Sequence, residues 1–386
     1  EEPTDRDNFK YKRIELVGSL IYDLFREYYS IQLRTIHLEF EKRAHYNQAI
    51  YANNLFGLIT QNYKEIFRER IVEAGFKKAF KGNWGAHSHT KRIGVLQDLN
   101  RLSHNTMLSH LRKTNLPLDA TAKVVGPRVL HSTQWGMFDP IDTPDGGNIG
   151  LHKHMSIASY ITQGYSRNTI IQWLREKVDM KLIEDSTPII LSTMSKVIIN
   201  GLWIGAINEP IETIAKFKLY RRNGLIPIYT SISFDYRLNT VYIYTDAGRI
   251  CRPVFYKDDE TNKMSFMKDA MIKRIEDGNF KWTELISGFN AKKVEGFQPN
   301  QYKLYELFEL YENIDSESNP AKLKRFLDDK AIIDYIDTNE TESSIIALNK
   351  EALDKKEHNY THMEIHESLL FGVMCNLINF PENNPA

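Results

Sequence analysis

Apolar residues recur at helical spacing through the first 80 residues of the chain. Ile14, Val17, Ile21 and Leu24 lie three or four positions apart, and a second such stretch runs from about His45 to Ala79. Side chains at this spacing share one face of a helix, so the pattern predicts a helical packing unit. We assign no chemistry to this part of the chain.

Three further helices are predicted by the same spacing. They are expected at residues 96–115, 211–223 and 321–336. Gly224 follows the second of them, which is the usual place for a glycine just past a helix end.

Short β-rich runs replace the helical pattern after residue 155. Two of these runs flank Asn200-Gly201, and two more flank Asp246-Ala247-Gly248. Turn residues between two β-rich runs are typical of β-hairpins. The sequence therefore predicts one hairpin at residues 196–204 and another at residues 240–256.

The stretch from residue 128 to residue 153 combines chain-breaking residues with large apolar ones. Its two prolines and four glycines exclude a helix or a central strand. It also carries Trp135, Met137, Phe138 and Ile149, which a solvated linker does not need. We therefore predict a loop held against the body of the protein, a common kind of functional surface.

Residues 142–147 of this stretch have the composition of a tight turn. Proline fixes φ, aspartate can bond its own backbone, and glycine accepts a positive φ. The amides of Gly146, Gly147 and Asn148 could form a concave nest for a phosphate, and we expect both glycines to hold backbone conformations that a Cβ would strain. The alternative from the pattern alone is a structural loop at a domain junction.

Composition limits the classes of function. The chain has 50 Lys and Arg against 50 Asp and Glu, so its zero net charge excludes a simple basic nucleic-acid binder. The charge is uneven, with nine basic and five acidic residues at 81–155 but eight basic and seventeen acidic at 301–386. Two distant cysteines without a CxxC pair favour a reducing compartment and argue against a zinc ribbon. No apolar run reaches membrane length.

Three segments together resemble a known family. The first has the order Pro127-Arg128-x-Leu130-His131-x-x-x-Trp135-Gly136, Pro140-x-x-Thr143-Pro144-Asp145-Gly146 and Gly150-Leu151. The other two are Ser109–Asn115 and Thr245-Asp246-Ala247-Gly248-Arg249-x-x-Arg252-Pro253. They resemble the second-largest subunit of multisubunit DNA-directed RNA polymerases, called beta in bacteria, and the resemblance covers nearly the whole chain.

The resemblance implies an α+β multidomain fold and an internal fragment of such a subunit. The implied parts are a helical part of the protrusion domain at 1–80, a fork domain with two fork loops at 81–155, external domain 1 at 156–245, external domain 2 at 246–380 and the start of a hybrid-binding domain at 381–386. The turn version Asp-Gly-Gly-Asn-Ile is similar to polymerases of large DNA viruses.

The resemblance also implies template-dependent RNA synthesis by a nucleotidyltransferase of several subunits. Two Mg²⁺ ions would be held mainly by the largest subunit, so this fragment alone would be inactive. Its partners would be the largest and other polymerase subunits, template DNA and the RNA–DNA hybrid, within the cell and without a membrane. The residues expected to bind nucleic acid are Arg112, Lys113, Lys123, Arg128, His131, Asp145, Gly146, Gly147 and Asn148.

Several carboxylates and histidines carry no predicted metal site. Asp139, Asp142 and Asp145 are spaced by three with intervening prolines, so we favour turn and positioning roles for them. Asp139 stands where relatives commonly have Cys, and Asp142 and Asp145 stand where they commonly have Glu. His358, His362 and His366 could share a helix face as a metal site, but no HExxH pattern is present, and the resemblance places residues 361–366 in non-catalytic structure. The alternative function is a non-catalytic nucleic-acid-binding or scaffolding module.

Overall fold

A computed structural model describes residues 4–51, 54–258, 261–267, 273, 276–278, 280–289, 327–355 and 358–383. Contacts between residues divide the chain into two compact units. We call residues 15–123 and 145–152 the helical unit, and residues 1–14, 124–144 and 153–386 the sheet unit. The predicted fork segment at 81–155 contributes to both units, and the predicted domain boundaries stay predictions. The predicted segment 381–386 lies partly outside the described residues.

The helical unit is built on one long helix. Its helices are α1 (Val17–Tyr46), α2 (Gln48–Tyr51), α3 (Leu55–Ile66), α4 (Ile71–Ala79) and α5 (His104–Leu111). Strand β1 (Lys113–Asn115) follows α5. Leu24 and Tyr28 of α1 pack with Ala79 and Trp84 in the core of this unit. The first predicted helix is therefore confirmed from Val17 onward and extends to Tyr46, whereas Ile14, which was expected to belong to it, lies before its start.

The other two helical predictions for this unit are correct only in part. The stretch from 45 to 79 is not one helix but the end of α1 followed by three shorter helices. Asn54 starts one of them, because its side chain accepts a hydrogen bond from the Gly57 amide at 2.7 Å. The helix expected at 96–115 begins only at His104, where Ser103 and Thr106 form a capping box, and it ends at Leu111, because residues 113–115 lie in β1.

The first sheet of the sheet unit has five strands in the order β4-β6-β5-β8-β7. They are β4 (Lys181–Leu182), β5 (Ser195–Ile199), β6 (Leu202–Ile207), β7 (Ser231–Asp235) and β8 (Thr240–Tyr244). Helices α6 (Asn168–Val178), α7 (Pro188–Thr193) and α8 (Pro210–Arg222) belong to the same region. Trp173, Val197 and Phe217 lie in the shared core of α6, α8 and this sheet.

The predicted hairpin around Asn200-Gly201 is confirmed. Strands β5 and β6 pair antiparallel, with Ile199 opposite Leu202. Asn200 and Gly201 have φ values of 49° and 80°, the left-handed conformations that a two-residue hairpin turn requires. The predicted helix at 211–223 is likewise confirmed as α8, and Gly224 past its end has a φ of 67°.

The predicted hairpin around Asp246-Ala247-Gly248 is wrong. Strand β8 pairs with β5 on one edge and with β7 on the other, so it has no free edge for the strand that follows. That strand, β9 (Ile250–Tyr256), lies in a second sheet. The connection at 246–248 therefore passes the chain from one sheet to the other.

The second sheet has the order β10-β9-β12-β11, with β3 also paired to β9. Its strands are β3 (Tyr160–Ile161), β9, β10 (Ile333–Asp337), β11 (Ile346–Ala347) and β12 (His362–Met363). Helices α9 (Trp282–Ser287), α10 (Thr338–Glu342) and α11 (Lys350–Asp354) accompany it, and β2 (His152–His154) precedes β3. The helix expected at 321–336 is wrong at 333–336, which lie in β10, whereas 321–326 lie outside the described residues.

Buried ion pairs join α8 to strand β10 and to helix α10. The guanidinium of Arg221 binds the carboxylate of Glu340, with Nη2 donating to Oε2 at 3.1 Å. Arg222 donates to Asp334 through Nη2 at 2.7 Å, and its guanidinium lies 3.4 Å from the centre of the Tyr256 ring. Burial alone would raise the pKa of Asp334, but the Arg222 and Arg221 guanidiniums outweigh it and hold that pKa well below its usual range. We call Arg221, Arg222, Asp334 and Glu340 the buried charge network.

Candidate nucleic-acid interface

Two loops that are distant in sequence meet within the helical unit. The amide of Leu116 donates to the carbonyl of Leu151 at 2.9 Å. A Cβ placed on Gly147 would lie 3.6 Å from the Cβ of Ala120. The loop at 116–123 therefore packs directly against the turn at 145–151.

The turn at 145–148 is exposed along its whole length. Asp145 precedes a single 3-10 turn at Gly146–Asn148, which is closed by the Ile149 amide donating to the Gly146 carbonyl at 3.1 Å. Leu151 donates to the carbonyl of Asn148 at 3.0 Å. The backbone of this turn is thus fixed by its own hydrogen bonds, while its four residues face solvent.

The two glycines of the turn differ in what they require. Gly146 has a φ of 72°, and no atom lies within 4 Å of a Cβ built on it. Gly147 lies outside the left-handed region, and its Cβ would make only an ordinary van der Waals contact with Ala120. The prediction of a strained backbone is therefore confirmed for Gly146 and wrong for Gly147.

Three predicted basic residues belong to the same unit as this turn. Arg112 follows the last residue of α5 and is half-buried, and this burial lowers the pKa of its guanidinium. Lys113 begins β1, and Lys123 is exposed at the end of the 116–123 loop. In that loop Asp119 binds the Thr121 amide and hydroxyl, each at 2.9 Å, so its carboxylate is already engaged locally.

Arg128 and His131, the other two predicted residues, belong to the sheet unit. Arg128 is half-buried, and its Nε donates to the Val124 carbonyl at 3.1 Å. His131 contacts Asp5 through Nε2 at 2.7 Å and Thr133 Oγ1 through Nδ1 at 2.7 Å. The structure therefore brings seven of the nine predicted residues together in one unit and places these two in the other.

The apolar residues of the predicted 128–153 loop are buried only in part, since Ile149 is exposed. Met137 and Phe138 lie in a core with Met155 and Ile250, whereas Trp135 remains 46% exposed. The amide of Asp139 donates to the carbonyl of His154 at 2.8 Å. Residues 128–139 of this loop are thus held against the sheet unit.

Asp139 has the positioning role expected for it. One carboxylate oxygen accepts the amides of Ile141 and Asp142 at 2.9 Å and 3.1 Å, and the other accepts the amide of Gly372 at 2.6 Å. Sequence reasoning missed Gly372, because nothing in the sequence signals a contact across 233 positions. Both oxygens are engaged with backbone donors, so Asp139 does not fit a role as a metal ligand.

The histidines at 358, 362 and 366 do not form a helical face. His362 lies in strand β12 rather than in a helix, and burial lowers the pKa of its imidazole to about 3. Among the described residues, no group of three or more His, Cys, Asp or Glu could hold a metal ion.

The loop at 82–94, which by the family resemblance is expected to be the first of the two fork loops, is fixed to α1 by a residue that sequence reasoning missed. Glu27 accepts a hydrogen bond from the His87 amide at 3.0 Å and another from the Thr90 hydroxyl. The Arg92 amide donates to the Trp84 carbonyl at 3.0 Å and closes the loop. The signal available in the sequence was the position of Glu27, which is adjacent to Tyr28 of the apolar face of α1.

None of the helices formed by the described residues is long and apolar enough to cross a membrane.

Two family profiles match the chain. The profile described as RNA polymerase Rpb2, domain 3, matches residues 97–161, which include both loops of the candidate interface. The profile described as RNA polymerase Rpb2, domain 4, matches residues 197–258.

Similar proteins occur in cellular organisms and in a virus. The chain is 30% identical to DNA-directed RNA polymerase II subunit RPB2 of Schizosaccharomyces pombe over 402 positions, covering 100% of the chain and 31% of that protein. It is 27% identical to DNA-directed RNA polymerase subunit 2 of Acanthamoeba polyphaga mimivirus, covering 99% and 30%. It is 26% identical to DNA-directed RNA polymerase subunit Rpo2 of Sulfolobus acidocaldarius, covering 100% and 30%.

The chain thus spans a little under a third of the length of these relatives. Because the matches include cellular proteins, they do not require a viral source, which stays a prediction.

Proposed function

This chain belongs to the family of second-largest subunits of DNA-directed RNA polymerase, and we propose that it holds nucleic acid beside the site of RNA synthesis in such an enzyme. The observation that carries this proposal is the contact between the 116–123 loop and the exposed turn at 145–148. Together these loops form one surface with Arg112, Lys113 and Lys123.

The basic residues of this surface suit the phosphates of a nucleic-acid backbone. Lysine and arginine release condensed counterions when they bind phosphate, and this release supplies sequence-independent affinity. Such contacts fix the register of the nucleic acid without reading its bases. The exposed Lys123 would contact phosphate most directly, whereas the half-buried Arg112 would also support the start of the 116–123 loop.

The turn at 145–148 would act through close approach rather than through charge. Gly146 and Gly147 have no side chains, so a sugar or phosphate can come near their backbone. The carboxylate of Asp145 would repel a phosphate, but it can accept a hydrogen bond from a ribose hydroxyl or a base amino group. Asp145 would therefore favour the RNA strand or a base edge over the phosphate backbone.

We place the catalytic metal outside this chain. Mg²⁺ supplies charge neutralisation in nucleotidyl transfer, and it needs several oxygen ligands at one point. Asp139 is engaged with three backbone amides, so it does not fit such a site. Another subunit, by the family resemblance the largest one, would hold the ions, and this chain would contact that subunit and others inside the cell.

The salt dependence of nucleic-acid binding tests the proposal. In a polymerase assembled with a second-largest subunit that carries this chain, Lys123→Ala should reduce the magnitude of the negative slope of log K against log salt by about one unit. Lys181→Ala is the matched control, because Lys181 is exposed on β4 and pairs with Asp179 at 2.8 Å. A slope that changes equally in both variants would contradict the proposed surface.

Primer extension separates the proposal from a module that has no role in synthesis. The purified chain alone should extend no RNA primer, with Mg²⁺ or Mn²⁺, because the proposal assigns the metal to another subunit. The assembled enzyme with Lys123→Ala should extend primers with a shorter complex lifetime than the wild type. Template-dependent extension by the chain alone would overturn the assignment of the metal.

A further inference from the structure

The segment at 4–14, here called the strap, runs along three parts of the sheet unit. Its Phe9 amide donates to Thr133 Oγ1 at 3.1 Å, and the Phe9 ring lies 5.0 Å from the Phe138 ring. Further on, the Ile14 amide donates to the Gly248 carbonyl at 2.7 Å. The strap therefore contacts both the 131–138 segment and the connection at 246–248, which links the two sheets.

A third contact fixes the middle of the strap to α10. Lys10 Nζ binds one carboxylate oxygen of Glu342 at 2.8 Å, and the Asn8 side chain donates to the other oxygen. Asn8 is buried, and its own oxygen accepts the Lys10 amide at 2.9 Å, which shapes the short turn at Phe9–Tyr11. These inner contacts hold the strap in one path across the sheet unit.

The outermost contact of the strap joins Asp5 to His131. Thr133 donates its amide to Nδ1 of His131 at 3.2 Å, so Nδ1 is an acceptor there. The ring proton is then on Nε2, which donates to the Asp5 carboxylate at 2.7 Å. Both nitrogens of a residue predicted to contact nucleic acid are thus used inside the protein.

We propose that the strap is a positioning element for the segment at 126–138, which carries the predicted nucleic-acid contact Arg128, and that His131 is a positioning residue which acts through Asp5 and Thr133 rather than by touching nucleic acid. The Asp5 carboxylate accepts a hydrogen bond from the imidazole of His131, and the imidazole accepts one from the Thr133 amide. The Thr133 hydroxyl oxygen in turn accepts one from the Phe9 amide of the strap. These contacts begin and end on the strap, and they fix His131, which follows Arg128 by three residues. This inference rests on the proposed function and deepens it.

Direct contact and positioning predict opposite effects of changing Asp5. If His131 binds phosphate itself, removing Asp5 frees Nε2 and removes a nearby negative charge, so binding should be unchanged or tighter. If His131 is a positioning residue, loss of its partner should weaken binding. The isosteric Asp5→Asn variant removes the charge yet keeps an oxygen that accepts from Nε2, and it separates charge from hydrogen bonding.

The test measures the affinity of the assembled polymerase for an RNA–DNA hybrid scaffold at fixed salt. Asp5→Ala should bind about fivefold more weakly than Asp5→Asn, which should match or exceed the wild type. In a His131→Ala background the two Asp5 variants should bind equally, because the contact they share is already lost. Asp185→Ala, which removes an exposed carboxylate elsewhere in the sheet unit, controls for net charge.

Two results would overturn the inference. One is Asp5→Ala binding as tightly as Asp5→Asn, and the other is a loss in His131→Ala that adds in full to the loss in Asp5→Ala. Melting of each variant, together with the Asp5→Asn rescue, separates positioning from general unfolding.

Amide hydrogen exchange of the full chain tests the strap without nucleic acid. The Thr133 and Gln134 amides, bonded to Nδ1 and to the carbonyl of His131, should exchange faster in Asp5→Ala than in Asp5→Asn. Equal exchange in both variants would overturn the strap as a positioning element. Faster exchange together with an unchanged salt slope in Lys123→Ala would instead leave the strap in place and reject the proposed interface.

Discussion

The buried charge network and the candidate interface use the same kinds of side chain in opposite ways. Arg221 and Glu340 keep only 2% and 1% of their side-chain surface exposed, and each guanidinium of the network faces a carboxylate. Lys123 is exposed beside a turn that has no buried side chain. Basic residues in a sequence therefore say little about nucleic acid until their burial and their partners are known.

The two regions should also differ in how well they tolerate the loss of a charged side chain. A buried pair stabilises the fold only while both members are present, because removing one leaves an uncompensated charge away from water. An exposed lysine is solvated in every state, and its loss costs the fold almost nothing. Stability should thus depend on the network, and binding should depend on the loops.

The largest expected effect is the loss of Arg221. Arg221→Met leaves the carboxylate of Glu340 buried without its bidentate partner and should lower the free energy of unfolding by about 3–5 kcal/mol. Urea unfolding of the chain measures this change, and Lys123→Met is the matched control with an expected change under about 0.5 kcal/mol.

The double variant Arg221→Met with Glu340→Leu should recover part of this loss, because neither member of the Arg221–Glu340 pair is then left without the other. A single-variant loss below about 1 kcal/mol would mean that the network does not hold α8 to the second sheet.

Acid should destabilise the fold through His362, which lies in β12 of the second sheet. Burial, followed by the nearby Lys218, lowers the pKa of His362 to about 3, while the unfolded chain has an ordinary histidine pKa. Stability is therefore full above about pH 6.5 and falls as the pH drops towards 3, by at most about 1.4 kcal/mol per pH unit for this one proton.

The comparison of wild type with His362→Gln isolates this contribution from that of the carboxylates. Between pH 6.5 and pH 4.5 the wild type should lose about 2–3 kcal/mol more than the variant. Parallel stability curves for the two proteins would show that His362 is not held neutral in the fold.

The conformation of the turn at 145–148 should depend on the positive φ of Gly146. Gly146→Val forces a β-branched residue to a φ of 72° and should cost on the order of 1–3 kcal/mol locally. Gly147→Val requires no positive φ and should have less effect on elongation by the assembled enzyme. Elongation rate and melting of both variants measure this difference, and a larger defect in Gly147→Val would reverse the assignment.

The smallest expected effect on stability is that of Lys123→Ala. Its melting temperature should equal that of the wild type within about 1 °C, because an exposed lysine makes little net contribution to folding. A clear loss of stability would show that Lys123 supports the loop at 116–123, and the contrast between the two regions would then fail.

Local patterns were the part of this structure that the sequence could predict. The Asn200-Gly201 turn, the end of α8 at Gly224 and the positive φ of Gly146 each depend on residues close in sequence. The hairpin at 246–248 failed because β8 had already used both edges with strands from elsewhere in the chain.

In the candidate interface, too, local patterns were predictable from the sequence and contacts between distant residues were not. The residues of the exposed turn could be named from turn chemistry and family resemblance. The use of both nitrogens of His131 could not, because Asp5 lies 126 positions away and either residue alone is unremarkable in the sequence. The Arg221–Glu340 pair, separated by 119 positions, was missed for the same reason.

Site-specific crosslinking in an assembled transcription complex tests the central claim most directly. A photoreactive residue placed at Lys123, and a second placed at Lys181, would each be activated in a stalled complex that contains an RNA–DNA hybrid. We predict a crosslink to nucleic acid from position 123 and none from position 181. A crosslink from position 123 to protein alone would contradict the claim that this surface holds nucleic acid.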